Sequence, residues 1–191
     1  HLIGGDGQEL RSSFRRGESN RRKKGAHRVS FFDCDTRNVL NYTLVKYKNN
    51  EAQAFMAMLK DAHISSDDIF YADALNARGE LIDFLNSRKL DWIFAVKTNL
   101  GNQTAVAGIS NFLEKNPQGH EYSKKESSRI ETRKYDIIPV SAIDGCQLYC
   151  MHPNTRTLIR VSKVTQEHLR DDRKNSIQRK PTESVLYFIS S

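Results

Sequence analysis

The sequence predicts an α/β fold in which a meander of three strands precedes parallel strands joined by crossover helices, with a β-rich insertion near the end. Between Asp67 and Asn102, two short apolar runs flank a segment with helical periodicity. This is the pattern of a right-handed crossover between parallel strands. Alternating apolar residues between Val29 and Tyr47 predict an antiparallel hairpin upstream. The segment from Arg129 to Ile138 also alternates and predicts a strand of the insertion.

The first three predicted strands form the meander. Leu2 and Ile3 are typical of the end of a strand, and the glycines around Asp6 predict a sharp turn directly after it. The second strand covers Val29 to Phe32, and the third covers Val39 to Tyr47 after a polar turn. Neighbouring strands joined in this way pair in antiparallel fashion.

Helices and buried strands then alternate. The first helix begins at Glu51 and spaces Ala54, Met58 and Ala62 along one face, which predicts a side packed on the sheet. A short apolar run over residues 69–72 has the length and composition of a buried parallel strand.

The second helix carries Leu81, Ile82 and Leu85 at helical spacing, and the fifth strand covers Trp92 to Val96. Three meandering strands followed by parallel strands with crossover helices is the order of a ribonuclease-H-like domain. We therefore expect a ribonuclease-H-like mixed sheet with a β-rich insertion. Its core would cover residues 1–115, the insertion of strands and charged loops residues 116–182, and the last core strand residues 183–191.

The positive charge of the chain is concentrated in one segment. The net charge is +7, and eight cations between residues 11 and 28, opposed by Glu18 alone, account for all of it. They are Arg11, Arg15, Arg16, Arg21, Arg22, Lys23, Lys24 and Arg28. A basic segment on a neutral body favours a polyanion partner, because each neutralised phosphate releases counterions. The alternative is an ordinary solvated loop.

Cysteine usage and hydropathy indicate the compartment. Three cysteines, an odd number, favour a reducing environment. No apolar run approaches the length that spans a bilayer, and no signal peptide is visible. We therefore expect a cytoplasmic protein with no membrane partner.

Two acids are predicted to meet at one edge of the sheet. Asp6 follows the first strand and Asp73 ends the fourth, and these strands are neighbours in the predicted order. Adjacent carboxylates repel each other unless a cation lies between them, and hard oxygen ligands suit Mg²⁺, with Mn²⁺ as a substitute. Two such ions about 4 Å apart assist phosphodiester displacement. The alternatives are a plain turn at Asp6 and a helix cap near Ala77 at Asp73.

Four blocks of the chain resemble one protein family. They are FYADALNARGELIDFLNSRKLDWIFAVKTNLGN, GGDGQELRSS, SSRIETRKYDI (residues 127–137) and ESVLYFISS (residues 183–191). Together, and in this order, they resemble bacterial insertion-sequence transposases of the H-repeat-associated type, within the DDE superfamily. The resemblance covers nearly the whole chain, and we expect the chain to be a fragment of such a protein, truncated at both ends.

The resemblance implies an activity and its partners. Family members use Mg²⁺ to nick the transposon end, and the freed 3′ hydroxyl then attacks target DNA. By this resemblance Asp6 and Asp73 are the first two catalytic metal ligands, and Lys97 and Asn99 lie near the backbone of double-stranded DNA. Such enzymes act as multimers, which makes a homo-oligomer the expectation.

The third catalytic acid has one candidate in the chain. Glu131 lies between Arg129 and Arg133, which suit a site that faces phosphate. It is either the third ligand or a salt-bridged strand residue, with the true third acid beyond residue 191. Two other functions also remain open. One is a different ribonuclease-H-like nuclease, and the other is an inactive remnant or regulator that binds DNA through residues 11–28.

Overall fold

The structure is a computed structural model that describes residues 1–10, 26–45, 50–62, 64–73, 76–96, 112, 119–126, 129–142, 153–169, 177–178 and 180–191. The chain divides into a first unit, His1–Ala95, and a second unit, Val96–Ser191. The mixed α/β architecture is confirmed. The finer division into residues 1–115, 116–182 and 183–191 stays a prediction.

The first unit holds most of the helices and strands that the sequence predicts. In chain order these are β1 (Leu2–Leu10), β2 (Ala26–Asp33), β3 (Val39–Val45), α1 (Glu51–Asp61), β4 (Ile69–Ala72), α2 (Gly79–Ser87) and β5 (Asp91–Val96). The strands lie in the order β3-β2-β1-β4-β5. β1 pairs with β2, and β2 with β3, in antiparallel fashion, whereas β1 with β4 and β4 with β5 are parallel pairs.

One face of this sheet packs against α1. Phe31 stacks on Phe55 of α1 with ring centroids 5.4 Å apart, and Phe55 meets Phe70 edge to face at 5.6 Å. Phe70 in turn meets Phe94 at 6.1 Å. Such ring pairs add about 0.5–1.5 kcal/mol each beyond the area that they bury. This aromatic row joins three strands, β2, β4 and β5, and helix α1 into one core.

The outer strand β3 has apolar side chains on its solvent side. Leu40, Tyr42 and Leu44 alternate along the strand and are exposed.

The glycine-rich start of the chain is a strand rather than a turn. β1 continues through Asp6 to Leu10, paired with β2 along its length. The glycines supply space: a Cβ at Gly4 would lie 2.3 Å from the ring of Phe32, and a Cβ at Gly5 would lie 2.8 Å from the ring of Phe55. The predicted turn after Ile3 is therefore wrong, because these glycines are required for close approach and not for a bend.

The second unit is an antiparallel sheet. It consists of β6 (His120–Glu126), β7 (Arg129–Pro139), a 3-10 turn (Val140–Ala142), β8 (Thr157–Leu169), β9 (Ile177–Gln178) and β10 (Thr182–Ser190). The order is β10-β8-β7-β6, and β9 pairs with β8.

One charged pair is buried within this second sheet. Asp136 is fully buried, and Arg160 donates to its Oδ2 from Nη2 at 2.8 Å and from Nε at 2.9 Å. Oδ1 of Asp136 has no hydrogen-bond partner within the described part of the chain.

Among the residues that the structure describes, no helix is both long enough and apolar enough to cross a membrane.

Candidate functional site

The register of β1 and β4 brings two acids together. The parallel pairing runs from Leu2 with Ile69 to Gly5 with Ala72. Asp6 and Asp73 are the next residue on each segment, and both are exposed. Since neighbouring strands lie about 4.8 Å apart, the two acids occupy adjacent positions at the carboxyl end of β4. Ligands bind at this edge in open α/β sheets.

The Tyr71 phenol lies close enough to both carboxylates to be affected by their charges. Burial raises the pKa of the Tyr71 phenol, and the charges of Asp73, Cys34 and Asp6 raise this pKa further. Alternation along each strand places both carboxylates on the same side of the sheet, because Asp6 follows Gly4 and Asp73 follows Tyr71 by two residues, and Gly4 pairs with Tyr71.

Asp73 does not cap the helix that follows it. Helix α2 begins at Gly79, and Arg78 occupies the N-cap position without a side-chain cap hydrogen bond. The alternative interpretation of Asp73 as a helix cap is therefore wrong.

A buried polar cluster lies next to the two acids, and sequence analysis did not identify it. We name it the Glu51 network, formed by His27 of β2, Glu51 of α1 and Asn76. Glu51 Oε1 lies 2.6 Å from His27 Nε2, and Glu51 Oε2 accepts a hydrogen bond of 3.1 Å from Asn76 Nδ2. The sequence separations of 24 and 25 residues form no recognisable motif. The one available signal was a glutamate on the helix side that packs against the sheet.

Glu131, the candidate third acid, lies on β7 in the second unit and is surrounded by cations. Arg129 Nη2 and Lys163 Nζ each lie 2.8 Å from its Oε2, and the Arg133 guanidinium binds Oε1. The bonds from Lys163 and Arg133 lower the pKa of Glu131 to about 2. Its carboxylate is therefore charged and engaged at both oxygens.

Glu131 and its two arginine partners line a basic depression, which we name the β7 cleft. It has a volume of about 340 Å³ and is lined by Tyr122, Lys124, Arg129, Glu131 and Arg133. Lys124 lies directly across from Glu131 on β6, and the exposed ring of Tyr122 lies across from Arg133. Cations outnumber the single acid, so the cleft suits an anionic ligand.

The remaining predicted DNA contacts fall outside the described residues. These are Arg11, Arg15, Arg16, Arg21, Arg22, Lys23, Lys24, Lys97 and Asn99. Of the basic segment, Arg28 is described, and it donates from Nη2 to Gln8 Oε1 at 3.4 Å.

A second group of possible metal ligands consists of His1, Asp33 and Asp35. Asp33 Oδ1 accepts the backbone N–H of Asp35 at 2.8 Å, and Asp33 Oδ2 accepts the Thr36 hydroxyl at 2.9 Å. These bonds lower the pKa of Asp33 and account for its position as part of a local turn.

A family model and similar curated proteins both relate the chain to transposases. A family model described as "Transposase DDE domain" matches residues 6–182. "Putative transposase YncI" of Escherichia coli K12 is 28% identical over 149 residues, which cover 73% of this chain and 56% of the relative. "Putative protein YbfL" of the same strain is 25% identical over 202 aligned residues, covering 100% of this chain and 48% of the relative. The chain thus spans about half the length of these relatives.

Among solved structures, the chain is similar to a piggyBac transposase in a synaptic complex with hairpin DNA. The TM-score is 0.43 at 11% identity, with 99% of this chain and 32% of the other chain covered.

Proposed function

The chain belongs to the family of transposase DDE domains, and from this premise we propose that it is part of the catalytic domain of a DNA transposase. Its reaction would be cleavage of DNA at transposon ends and transfer of the freed strand to target DNA. The fold of the catalytic domain would be ribonuclease-H-like.

The observation that carries this proposal is the adjacency of Asp6 and Asp73. Both are exposed carboxylates that follow the register pair Gly5 and Ala72. Oxygen donors of this kind fit Mg²⁺ or Mn²⁺. Bound there, such ions would activate the attacking oxygen and stabilise the leaving oxygen of a phosphodiester. The contribution of Asp6 and Asp73 is to hold negative charge at one place on the sheet edge, where a divalent cation relieves their repulsion.

We give Glu131 a structural part in this proposal. The bonds from Arg129, Arg133 and Lys163 occupy both of its oxygens, so a metal ion would have to displace cations to reach it. In the proposal Glu131 orients the side chains of the β7 cleft. The alternative in which Glu131 is the third metal ligand predicts that Glu131→Gln loses metal affinity.

The β7 cleft would contact the DNA backbone. Arg129 and Arg133 are each almost half exposed while bound to Glu131, so their remaining N–H groups can reach phosphate oxygens. Neutralising phosphates in this way releases counterions and makes affinity depend on salt. A non-catalytic regulator would instead bind DNA through residues 11–28 and would not need Asp6 or Asp73.

Manganese binding tests the proposal. Electron paramagnetic resonance of Mn²⁺ added to this chain measures the free ion, and we expect saturable binding that Asp6→Asn and Asp73→Asn each abolish. Glu131→Gln should bind as the wild type does, and Asp73→Asn should keep most of its affinity for DNA. Equal Mn²⁺ binding by the wild type and Asp73→Asn would overturn the assignment of the metal site. Loss of binding in Glu131→Gln would restore Glu131 as a ligand.

A further inference from the structure

The Glu51 network is unusual because it buries a carboxylate beneath an exposed edge of the sheet. His27, Glu51 and Asn76 are 6%, 5% and 2% exposed. A buried carboxylate is costly unless its oxygens are hydrogen-bonded. Here His27 satisfies one oxygen and Asn76 satisfies the other. The network therefore fixes three separate segments, β2, the start of α1 and the turn after β4, to a single side chain.

The network reaches Asp6 through Gly7. A Cβ at Gly7 would lie 2.3 Å from Glu51 Oε1 and 2.7 Å from His27 Nε2. The backbone that follows Asp6 therefore lies directly on the network, and any shift of Glu51 toward β1 would displace this backbone.

The network reaches Asp73 through Asn76. The backbone N–H of Asn76 donates to the carbonyl of Asp73 at 3.0 Å, while its side chain donates to Glu51. The turn that begins at Asp73 is therefore held at its far end by the same carboxylate that contacts Gly7.

We propose that His27, Glu51 and Asn76 are positioning residues that set the separation of Asp6 and Asp73. This role rests on the metal site proposed above. In this proposal the side chains of His27, Glu51 and Asn76 do not contact the metal themselves. Instead, Gly7 and Asn76 transmit the position of Glu51 to each acid. Groups that hydrogen-bond metal ligands directly are worth about 10- to 100-fold in metal affinity, and for this indirect network we expect an effect at the lower end of that range.

The test compares Mn²⁺ affinity of variants of this chain by electron paramagnetic resonance. Asn76→Ala and Glu51→Ala should each weaken Mn²⁺ binding by about tenfold. Glu51→Gln should stay within about threefold of the wild type, because the amide can accept from Asn76 and donate to the other tautomer of His27. Gly7→Ala keeps every network side chain and displaces them by steric overlap, so it should also weaken binding. It supplies the test if Asn76→Ala does not fold.

Leu85→Ala is the matched control, since it removes a fully buried core side chain of α2 that is not a member of the network. It should lose thermal stability and keep wild-type Mn²⁺ affinity when measured well below its melting temperature. Wild-type affinity in Asn76→Ala and Gly7→Ala would overturn the positioning role and leave the metal site intact. Equal weakening in Leu85→Ala, or equal loss in Glu51→Gln and Glu51→Ala, would also overturn it. Absence of Mn²⁺ binding in the wild type would instead overturn the metal site itself.

Discussion

Asp6 and Asp73 stand one residue beyond the same register pair, Gly5 with Ala72, on two neighbouring parallel strands. This relationship is set by backbone pairing and does not depend on a side-chain rotamer. The pairing of β1 with β4 therefore determines the relative position of the two acids along the strands.

Divalent ions should stabilise the folded chain through this pair. A ligand that binds only the folded state adds about 2.7 kcal/mol at a free concentration one hundred times its dissociation constant. We expect Mn²⁺ to raise the melting temperature of the wild type and to leave that of Asp73→Asn unchanged, as measured by differential scanning calorimetry. An equal rise in both proteins would place the bound ion elsewhere.

Two adjacent lysines of β6 should differ in their effect on DNA binding. Lys124 lines the β7 cleft, whereas Lys125 is exposed on the other face of the strand. Lys124→Ala should lower the slope of log affinity against log salt by about one, and Lys125→Ala should leave the slope unchanged. Fluorescence anisotropy on one duplex at several salt concentrations measures both slopes. Identical slopes for the two variants would show that the cleft does not face DNA.

Glu131 should stabilise the fold at neutral pH and lose this effect in acid. Its pKa lies at about 2, below the usual 4.5, so its charged form favours the folded state. The contribution is complete above about pH 4.5 and disappears as the pH falls to about 2. The urea midpoint of Glu131→Gln should therefore lie below that of the wild type at pH 6 and approach it in acid. A constant difference across this range would contradict the assignment.

Removing only one partner of the buried ion pair between Asp136 and Arg160 should strongly destabilise the fold. Arg160→Leu leaves a fully buried carboxylate without its cation, which we expect to cost about 3–5 kcal/mol of unfolding free energy. The double variant Asp136→Asn with Arg160→Leu should recover much of this loss, since no buried charge remains. Chemical denaturation measures all three proteins, and a double variant less stable than Arg160→Leu would argue against a penalty from unpaired charge.

The Cys34 thiol should react slowly. Burial raises its pKa, and the nearby charges of Asp35 and Asp33 raise it further against the lowering effect of a hydrogen bond with the Gly4 backbone. At pH 8 we expect iodoacetamide to modify Cys34 severalfold more slowly in the folded chain than in urea, because the thiolate is the reactive form. Mass spectrometry of the peptide that contains Cys34 follows the rate. Equal rates would show an exposed, unperturbed thiol.

Apolar spacing predicted the helices and strands whose pattern is local. The fourth strand coincides with Ile69–Ala72, and the first helix begins at Glu51 as expected. Each depends on side chains that alternate or recur every turn along one segment. The proximity of Asp6 and Asp73 could also be predicted from the sequence, because the order of strands determines which strand ends can meet.

The glycine-rich segment and the Glu51 network could not be predicted in the same way. The glycines of β1 are explained by the rings of Phe32 and Phe55, which are distant in sequence. The network joins side chains from β2, α1 and the turn after β4. Both features arise from tertiary contacts for which a single sequence carries no periodic signal.

The carboxylate of Glu131, which lines the β7 cleft, would affect how the cleft releases a ligand. By holding Arg129, Arg133 and Lys163 in place, Glu131 reduces the side-chain entropy that would be lost on binding, about 0.5–1.5 kcal/mol for each ordered side chain. The same carboxylate competes with an incoming phosphate for those N–H groups and repels it. In the proposed function Glu131 would thus occupy the place of a phosphate in the free protein, which would favour rapid exchange of bound strands over tight retention.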